Sequence, residues 1–298
     1  MLDQIFTAFH FAFRQRAAFT EGLSLLRQLL TFKLPFTKIA ATFLAVVECF
    51  SAAFLDTPRT PRGPALDLTG YELVFEDEFN GDELDTDVWQ LVAGEMQQIR
   101  FNDGNMILRA DYRDNAWRAA DICMIRPYCK GYYEIRCKVF NNTSRRDLWS
   151  AFWLTCDGVY DPDVSKGGVG GCEIDVYESF ADAPEKLDYP VGITPALWCN
   201  GTDDDAEIDG INFGQWRSNN PVEEYNTYGV LWTDDYYIWY INGVECFRIN
   251  YGSGTSQVPE NVRVSLCQPS CKDDEITRAK DQSGDYTIDY VRIWQLPE

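Results

Sequence analysis

The run Tyr236-Tyr237-Ile238-Trp239-Tyr240-Ile241-Asn242-Gly243-Val244-Glu245-Cys246-Phe247 constrains the fold of this chain more than any other stretch. Aromatic and β-branched residues flank an Asn-Gly pair, and those two residues tolerate the positive φ that a tight turn between right-twisted strands requires, so the run reads as a hairpin. Beyond residue 66, short runs rich in Tyr, Val, Ile, Phe and Trp alternate in the same manner with clusters of Gly, Asn and Asp, the mark of many short strands. No repeat of fixed period is visible. The expected fold is all-β: a jelly-roll β-sandwich of two packed antiparallel sheets, preceded by a short helical, apolar leader. A length of 298 residues allows one large sandwich or two smaller domains. Only Thr57-Pro58-Arg59-Thr60-Pro61-Arg62-Gly63-Pro64 reads as a linker, since proline interrupts ladders and helices and stiffens the chain. The expected division is a leader over 1–56, a proline-rich linker over 57–66 and one domain over 67–298.

Within that domain, Glu173-Ile174-Asp175-Val176-Tyr177-Glu178 places three carboxylates in an apolar, β-branched run. Side chains two apart share a face of a strand, so Glu173 and Asp175 point together while Glu178, five along, points away. One inserted residue, a β-bulge, brings Glu178 back beside them. Carboxylates that crowd one face raise each other's pKa, and a raised group beside an unraised one makes an acid and a nucleophile. Four strand positions span about 13 Å. Glutamates leaning together shorten that toward the roughly 5 Å of a retaining glycosidase rather than the wider gap of an inverting one. A solvated acidic edge or a calcium-ligand cluster also accounts for three acids, but Ile174, Val176 and Tyr177 imply a buried opposite face, which disfavours an edge.

Sugar rings are held by aromatic faces. In Leu148-Trp149-Ser150-Ala151-Phe152-Trp153-Leu154 the two indoles alternate onto one face, with Phe152 and Leu154 on the other. Either tryptophan alone could be a core residue of a sandwich; together, beside the acidic strand, they form a candidate sugar platform.

The chain from about Tyr71 to Trp294 resembles glycoside hydrolase family 16, the laminarinase, lichenase and agarase group. Besides the tryptophan strand and the acidic motif, three segments carry the resemblance: Leu73-Val74-Phe75-Glu76-Asp77-Glu78-Phe79-Asn80-Gly81, Gly131-Tyr132-Tyr133-Glu134-Ile135-Arg136-Cys137-Lys138 and Ile288-Asp289-Tyr290-Val291-Arg292-Ile293-Trp294. The acidic motif has the longer, bulged form of the laminarinase-like and agarase-like members. The resemblance implies Glu173 as nucleophile, Glu178 as general acid and base, and Asp175 as the neighbour that sets the protonation of the nucleophile. It also implies a structural calcium held by Glu78, the Gly104 carbonyl and Asp289, hard oxygen ligands of the kind that ion prefers; strand-end carboxylates without a metal are the plainer reading. One departure stands out. Where many bulged members carry a histidine-tryptophan pair, this chain reads Ala196-Leu197-Trp198-Cys199-Asn200-Gly201, with Trp198 in the histidine's place. Trp198 is therefore a third candidate for substrate binding, with an altered subsite preference.

Charge narrows the partners. Six basic and four acidic residues give residues 1–60 a net +2, which leaves −23 of the total −21 to the rest. So acidic a domain repels nucleic acid and anionic lipid. It also disfavours sulfated polysaccharides, since Arg145-Arg146 is the only basic cluster seen. A neutral glucan is the expected partner, and a monomer the expected state. The only histidine, His10, lies in the leader and is read as structural or solvated. Ile39 to Val47 has the length of a signal-peptide core, and Ser51-Ala52-Ala53 supplies small residues for cleavage. The region near residues 33–55 thus predicts secretion or a cell-surface anchor, with membrane association through the leader as the alternative. Ten cysteines leave the compartment open; Cys123 with Cys129 and Cys267 with Cys271 are near enough in sequence to pair, and Cys172 is read as a buried apolar residue. Three functions fit: a retaining endo-hydrolase of β-1,3-linked or mixed-linkage glucan, a galactan hydrolase or transglycosylase on the same fold, and a non-catalytic β-glucan-binding protein. Retention of Glu173 and Glu178 argues against the last.

Overall fold

The computed structural model describes residues 59–114, 116–138, 149–180, 196–200, 208–212, 216–220, 224–249, 254–267 and 283–297. Within these, sixteen strands follow one another: β1 (Glu72–Asp77), β2 (Trp89–Gly94), β3 (Ile99–Asn102), β4 (Asn105–Arg113), β5 (Ala116–Arg118), β6 (Ala120–Met124), β7 (Gly131–Lys138), β8 (Trp149–Thr155), β9 (Glu173–Phe180), β10 (Ala196–Asn200), β11 (Ile208–Asn212), β12 (Asn226–Trp232), β13 (Tyr237–Ile241), β14 (Val244–Ile249), β15 (Asn261–Cys267) and β16 (Ser283–Gln295). The one α-helix among the described residues is the short Pro162–Ser165. No described helix is long and apolar enough to cross a membrane.

The strands form two antiparallel sheets, as the sequence predicts. A nine-stranded sheet runs β14-β13-β12-β7-β16-β4-β3, with β1 also on β16 and β5 also on β4. A seven-stranded sheet runs β11-β10-β9-β8-β15-β6-β2. β8 lies between β9 and β15, and β15 in turn beside β6, so strands far apart in sequence become neighbours, the long connections of a jelly roll. The Asn-Gly hairpin forms as read: Asn242 and Gly243 both take positive φ, 49° and 70°, between β13 and β14.

Alternation decides what lies between the sheets. From β8 come Phe152 and Leu154, from β9 Ile174, Val176 and Tyr177, from β15 Val262, Val264 and Leu266, and from the facing sheet Tyr133, Tyr228, Trp232 and Trp239, all in one buried cluster. Close packing of such large side chains makes truncation expensive, about 3–5 kcal/mol for an aromatic reduced to alanine. Cys172 joins this core, as its place in the alternation implies.

The proline-rich stretch differs from the linker reading. The compact unit that holds the strands begins at Arg59 rather than at 67. Arg59 bridges to Trp216 and stacks on its ring, Ala65 bridges to Val244, and Gly63 N and Leu66 N donate to the carbonyls of Glu245 and Gly243 at 2.9 and 2.8 Å. Prolines fit such a strap because it lies along an edge, where missing N–H groups leave no ladder broken. Leu66, Leu68 and Tyr71 then cover Tyr132, Leu231, Ile238 and Tyr240 on the outer face of the nine-stranded sheet, a second, smaller core. The leader, with its expected signal or anchor over 33–55 and His10, lies outside the described residues.

Candidate active site

The bulge expected in the acidic strand is present. β8 and β9 pair as Ala151↔Glu178 and Phe152↔Tyr177, then shift to Trp153↔Asp175, which leaves Val176 as the extra residue. Val176 and Tyr177 are both buried in the core, so the strand reads outward, inward, outward, inward, inward, outward from Glu173 to Glu178. Glu173, Asp175 and Glu178 therefore occupy one face of the seven-stranded sheet, the face turned away from the core. A bulge disturbs the ladder at this point. On its inner side the Asp175 carbonyl accepts a hydrogen bond from the Trp239 indole of β13, in the opposite sheet, at 2.9 Å. Trp239 is itself stacked on Phe247, with ring centroids 4.8 Å apart, so the donor is held in place.

The tryptophan strand also behaves as read. Phe152 and Leu154 are fully buried, while Trp149 and Trp153 share the site face with Ala151 between them. Trp153 is not a bare platform, however. The Arg263 guanidinium lies over its ring, 4.1 Å from the centroid, and its indole nitrogen donates to Ser265 Oγ at 3.3 Å. The backbone of Trp198 is registered opposite Glu173 on the neighbouring β10.

Burial governs the electrostatics. Desolvation pushes the Glu173 carboxyl up, and the positive charge of Arg263 pulls it partly back. Glu178 is pushed up by desolvation and further by the charge of Glu173, with a hydrogen bond from the Trp149 side chain opposing the rise. Asp175 is only 2% exposed. Next to the start of β9, Glu260 is fully buried and accepts a hydrogen bond from Cys172 N at 3.0 Å; burial pushes it up to about 8.

Several of these groups escape a reading of the sequence. Arg263, Ser265 and Asp121 reach the site only through the register of β15 with β8 and β6, and Glu260, just before β15, meets the start of β9 through the hydrogen bond from Cys172 N. The available signal was alternation: in Asn261-Val262-Arg263-Val264-Ser265-Leu266 the apolar residues face the core and the polar ones face the site. Taken alone, that polar face looks merely solvated.

The residues expected to hold calcium do not fit the ion as they stand. Glu78 is paired with Arg292, with Nη2 at 2.7 Å and Nε at 2.8 Å, and Asp289 is paired with Arg136. A guanidinium on each carboxylate cancels the negative charge that a dication requires. Gly104 sits in a tight turn at positive φ, near the side chain of Asn80. Among the described residues no cluster of three or more His, Cys, Asp or Glu could hold a metal. Cys123 and Cys129 are free thiols rather than a disulfide, and Cys271 lies outside the described residues.

An antiparallel jelly roll whose site face carries three carboxylates beside indoles has the form of a carbohydrate-active β-sandwich. The chain belongs to the glycosyl hydrolases family 16, whose family model matches residues 80–292. It is 23% identical over 286 residues to glucan endo-1,3-beta-glucosidase A1 of Niallia circulans, an alignment that takes in 79% of this chain. The chain spans only 39% of the length of that relative. The fold is shared with SCLam, a non-specific endo-beta-1,3(4)-glucanase, at a TM-score of 0.60 and 17% identity over 81% of this chain and 97% of that one. A laminarinase from Flavobacterium sp. UMI-01 matches at a TM-score of 0.56 and 18% identity, covering 75% of this chain and all of its own.

Proposed function

We propose that this chain is an endo-acting glycoside hydrolase that cleaves β-1,3-linked or mixed-linkage glucan with retention of configuration. The observation that carries the reading is the bulge, which sets the half-buried Glu173 and the buried Glu178 on one sheet face in different surroundings. In the first step the Glu173 carboxylate attacks the anomeric carbon. Glu178 gives its proton to the departing glycosidic oxygen, and a β-linkage becomes an α-glycosyl ester. In the second step Glu178, now ionised, takes a proton from water, which attacks the same carbon and frees Glu173. Glu178 suits the acid role because burial and its anionic neighbour both favour the protonated form. Asp175, on the same face and buried, orients the nucleophile, and Trp149 offers flat apolar surface to a sugar, with the backbone of Trp198 placed opposite Glu173 on the next strand. The family membership and the activities named for the relatives support a glucan as substrate. The strong negative charge of the chain supports a neutral one.

Incubation with laminarin, lichenan, agarose and xyloglucan, followed by product sizing, tests the reading. Laminarin, with or without lichenan, should yield a ladder of internal-cleavage products. Cleavage confined to agarose or xyloglucan would contradict the glucan specificity, and release of single sugars alone would contradict endo-action.

A further inference from the structure

A double displacement needs two glutamates in opposite protonation states at one pH, and burial drives both in the same direction. The acids around them sharpen the difficulty. Asp175 shares the strand, Glu260 lies fully buried beside its start, and Asp121 stands on β6, beyond β8 and β15. The two strands flanking β9 bring Trp198 opposite Glu173, Trp153 opposite Asp175 and Ala151 opposite Glu178, none of them charged. Positive charge arrives from β15. Arg263 is registered opposite Trp153 and lies over its indole, while its Nε, 3.3 Å from Asp121 Oδ1, and its Nη2, on the other oxygen, make a fork to that carboxylate. The side chains of this pair are 19% and 15% exposed, so water screens them little.

We propose that Arg263 is a positioning residue for the nucleophile, clamped by Asp121 and stacked on Trp153 so that its charge keeps Glu173 anionic while Glu178 holds the proton. The proposal rests on the double displacement proposed above and deepens it. Arginine suits the task because its planar fork matches a carboxylate, it stacks on an aromatic face, and it never loses its proton. Asymmetry supports the assignment: among the described residues the cation that offsets the burial of Glu173 is Arg263, whereas Glu178 is opposed by the charge of Glu173 and aided by the Trp149 hydrogen bond. Arg263 touches no reacting atom in this scheme. It acts through the nucleophile.

The test titrates the Glu173 carboxyl directly, by carbon-13 NMR of the full chain labelled at glutamate Cδ, with the Glu173→Gln spectrum identifying the resonance. The pH profile of kcat/KM on laminarin is measured beside it. In Arg263→Gln the Glu173 midpoint should move up, and activity on the acidic limb should fall roughly tenfold while recovering at higher pH. Arg263→Lys should lie between that variant and the parent. Asp121→Asn, which frees Arg263 from its counter-charge, should move the midpoint down. An Arg263 that serves only packing would lower kcat/KM evenly across pH with the midpoint unmoved, and that result overturns the proposal. Should Arg263→Gln fail to fold, a midpoint in Asp121→Asn that stays or rises does so instead. Laminarin hydrolysis by Glu173→Gln is a separate failure: it removes Glu173 as nucleophile, and the proposal with it.

Discussion

Two sets of buried carboxylates, one on each sheet, show how the same residue type comes to serve different ends. On the nine-stranded sheet Glu134 is 8% exposed, and on the seven-stranded sheet Glu178 is 9% exposed, so burial does not distinguish them. Their partners do. Glu134 accepts hydrogen bonds from the hydroxyls of Tyr132 and Tyr290 at 2.7 and 2.8 Å, and Arg292 stacks on Tyr290 while pairing with Glu78. Glu245 is likewise paired with Arg248. Donors replace the water that these acids lost, and the tyrosines that serve Glu134 are themselves pushed up by burial. At the site face the compensation is incomplete: Glu178 and Glu173 are both pushed up by burial, and each has one weakening influence against it. A buried carboxyl whose lost water is not fully replaced by donors is pushed toward the point where it can take or give a proton, as Glu173 and Glu178 are.

That contrast can be broken at either sheet. Glu178→Ala should cut turnover of the natural glucan about 10²- to 10⁴-fold, the range for loss of a general acid and base. An activated aryl glycoside, whose leaving group needs no proton, should recover the first step. Added azide should then give a β-glycosyl azide, identified by proton NMR; an α-product would mean that the displacement is single. A smaller and different effect is expected on the nine-stranded sheet. Glu134→Gln should lower the unfolding free energy by about 1.5–3 kcal/mol, the worth of hydrogen bonds to a charged group, read from the denaturant midpoint. Its kcat should match the parent. A loss of turnover with unchanged stability would erase the distinction between the two sets.

Much of the site was legible because it lies within single strands. The alternation of Trp149, Ala151 and Trp153 against Phe152 and Leu154 needs only the two-residue period of a strand, and the bulge at Val176 follows from requiring three acids to share a face. The groups that tune the acids were not legible, since they depend on which strands become neighbours. Arg263 and Asp121 are 142 residues apart and meet only because β15 crosses to lie between β8 and β6. The strap over 59–66 was read as a linker for a related reason: its hydrogen-bond partners, Gly243 and Glu245, lie far along the chain, and proline content alone gives no sign of an edge to run along. The positions of Asp289 and Glu78 in the sequence suggest a metal, and the arginines that pair with them, Arg136 and Arg292, carry no local signal of that pairing.

The central claim is that Glu173 forms a covalent bond to the sugar. A 2-deoxy-2-fluoro glucoside with an activated leaving group, extended by β-1,3-linked glucose, slows the second step more than the first and lets the ester accumulate. Peptide mass spectrometry after brief incubation should find one glycosyl adduct, on the peptide containing Glu173, and fragmentation should place it on that side chain rather than on Asp175 or Glu178. An adduct on another carboxylate, or turnover of the probe with no adduct while laminarin is still cleaved, would contradict the account.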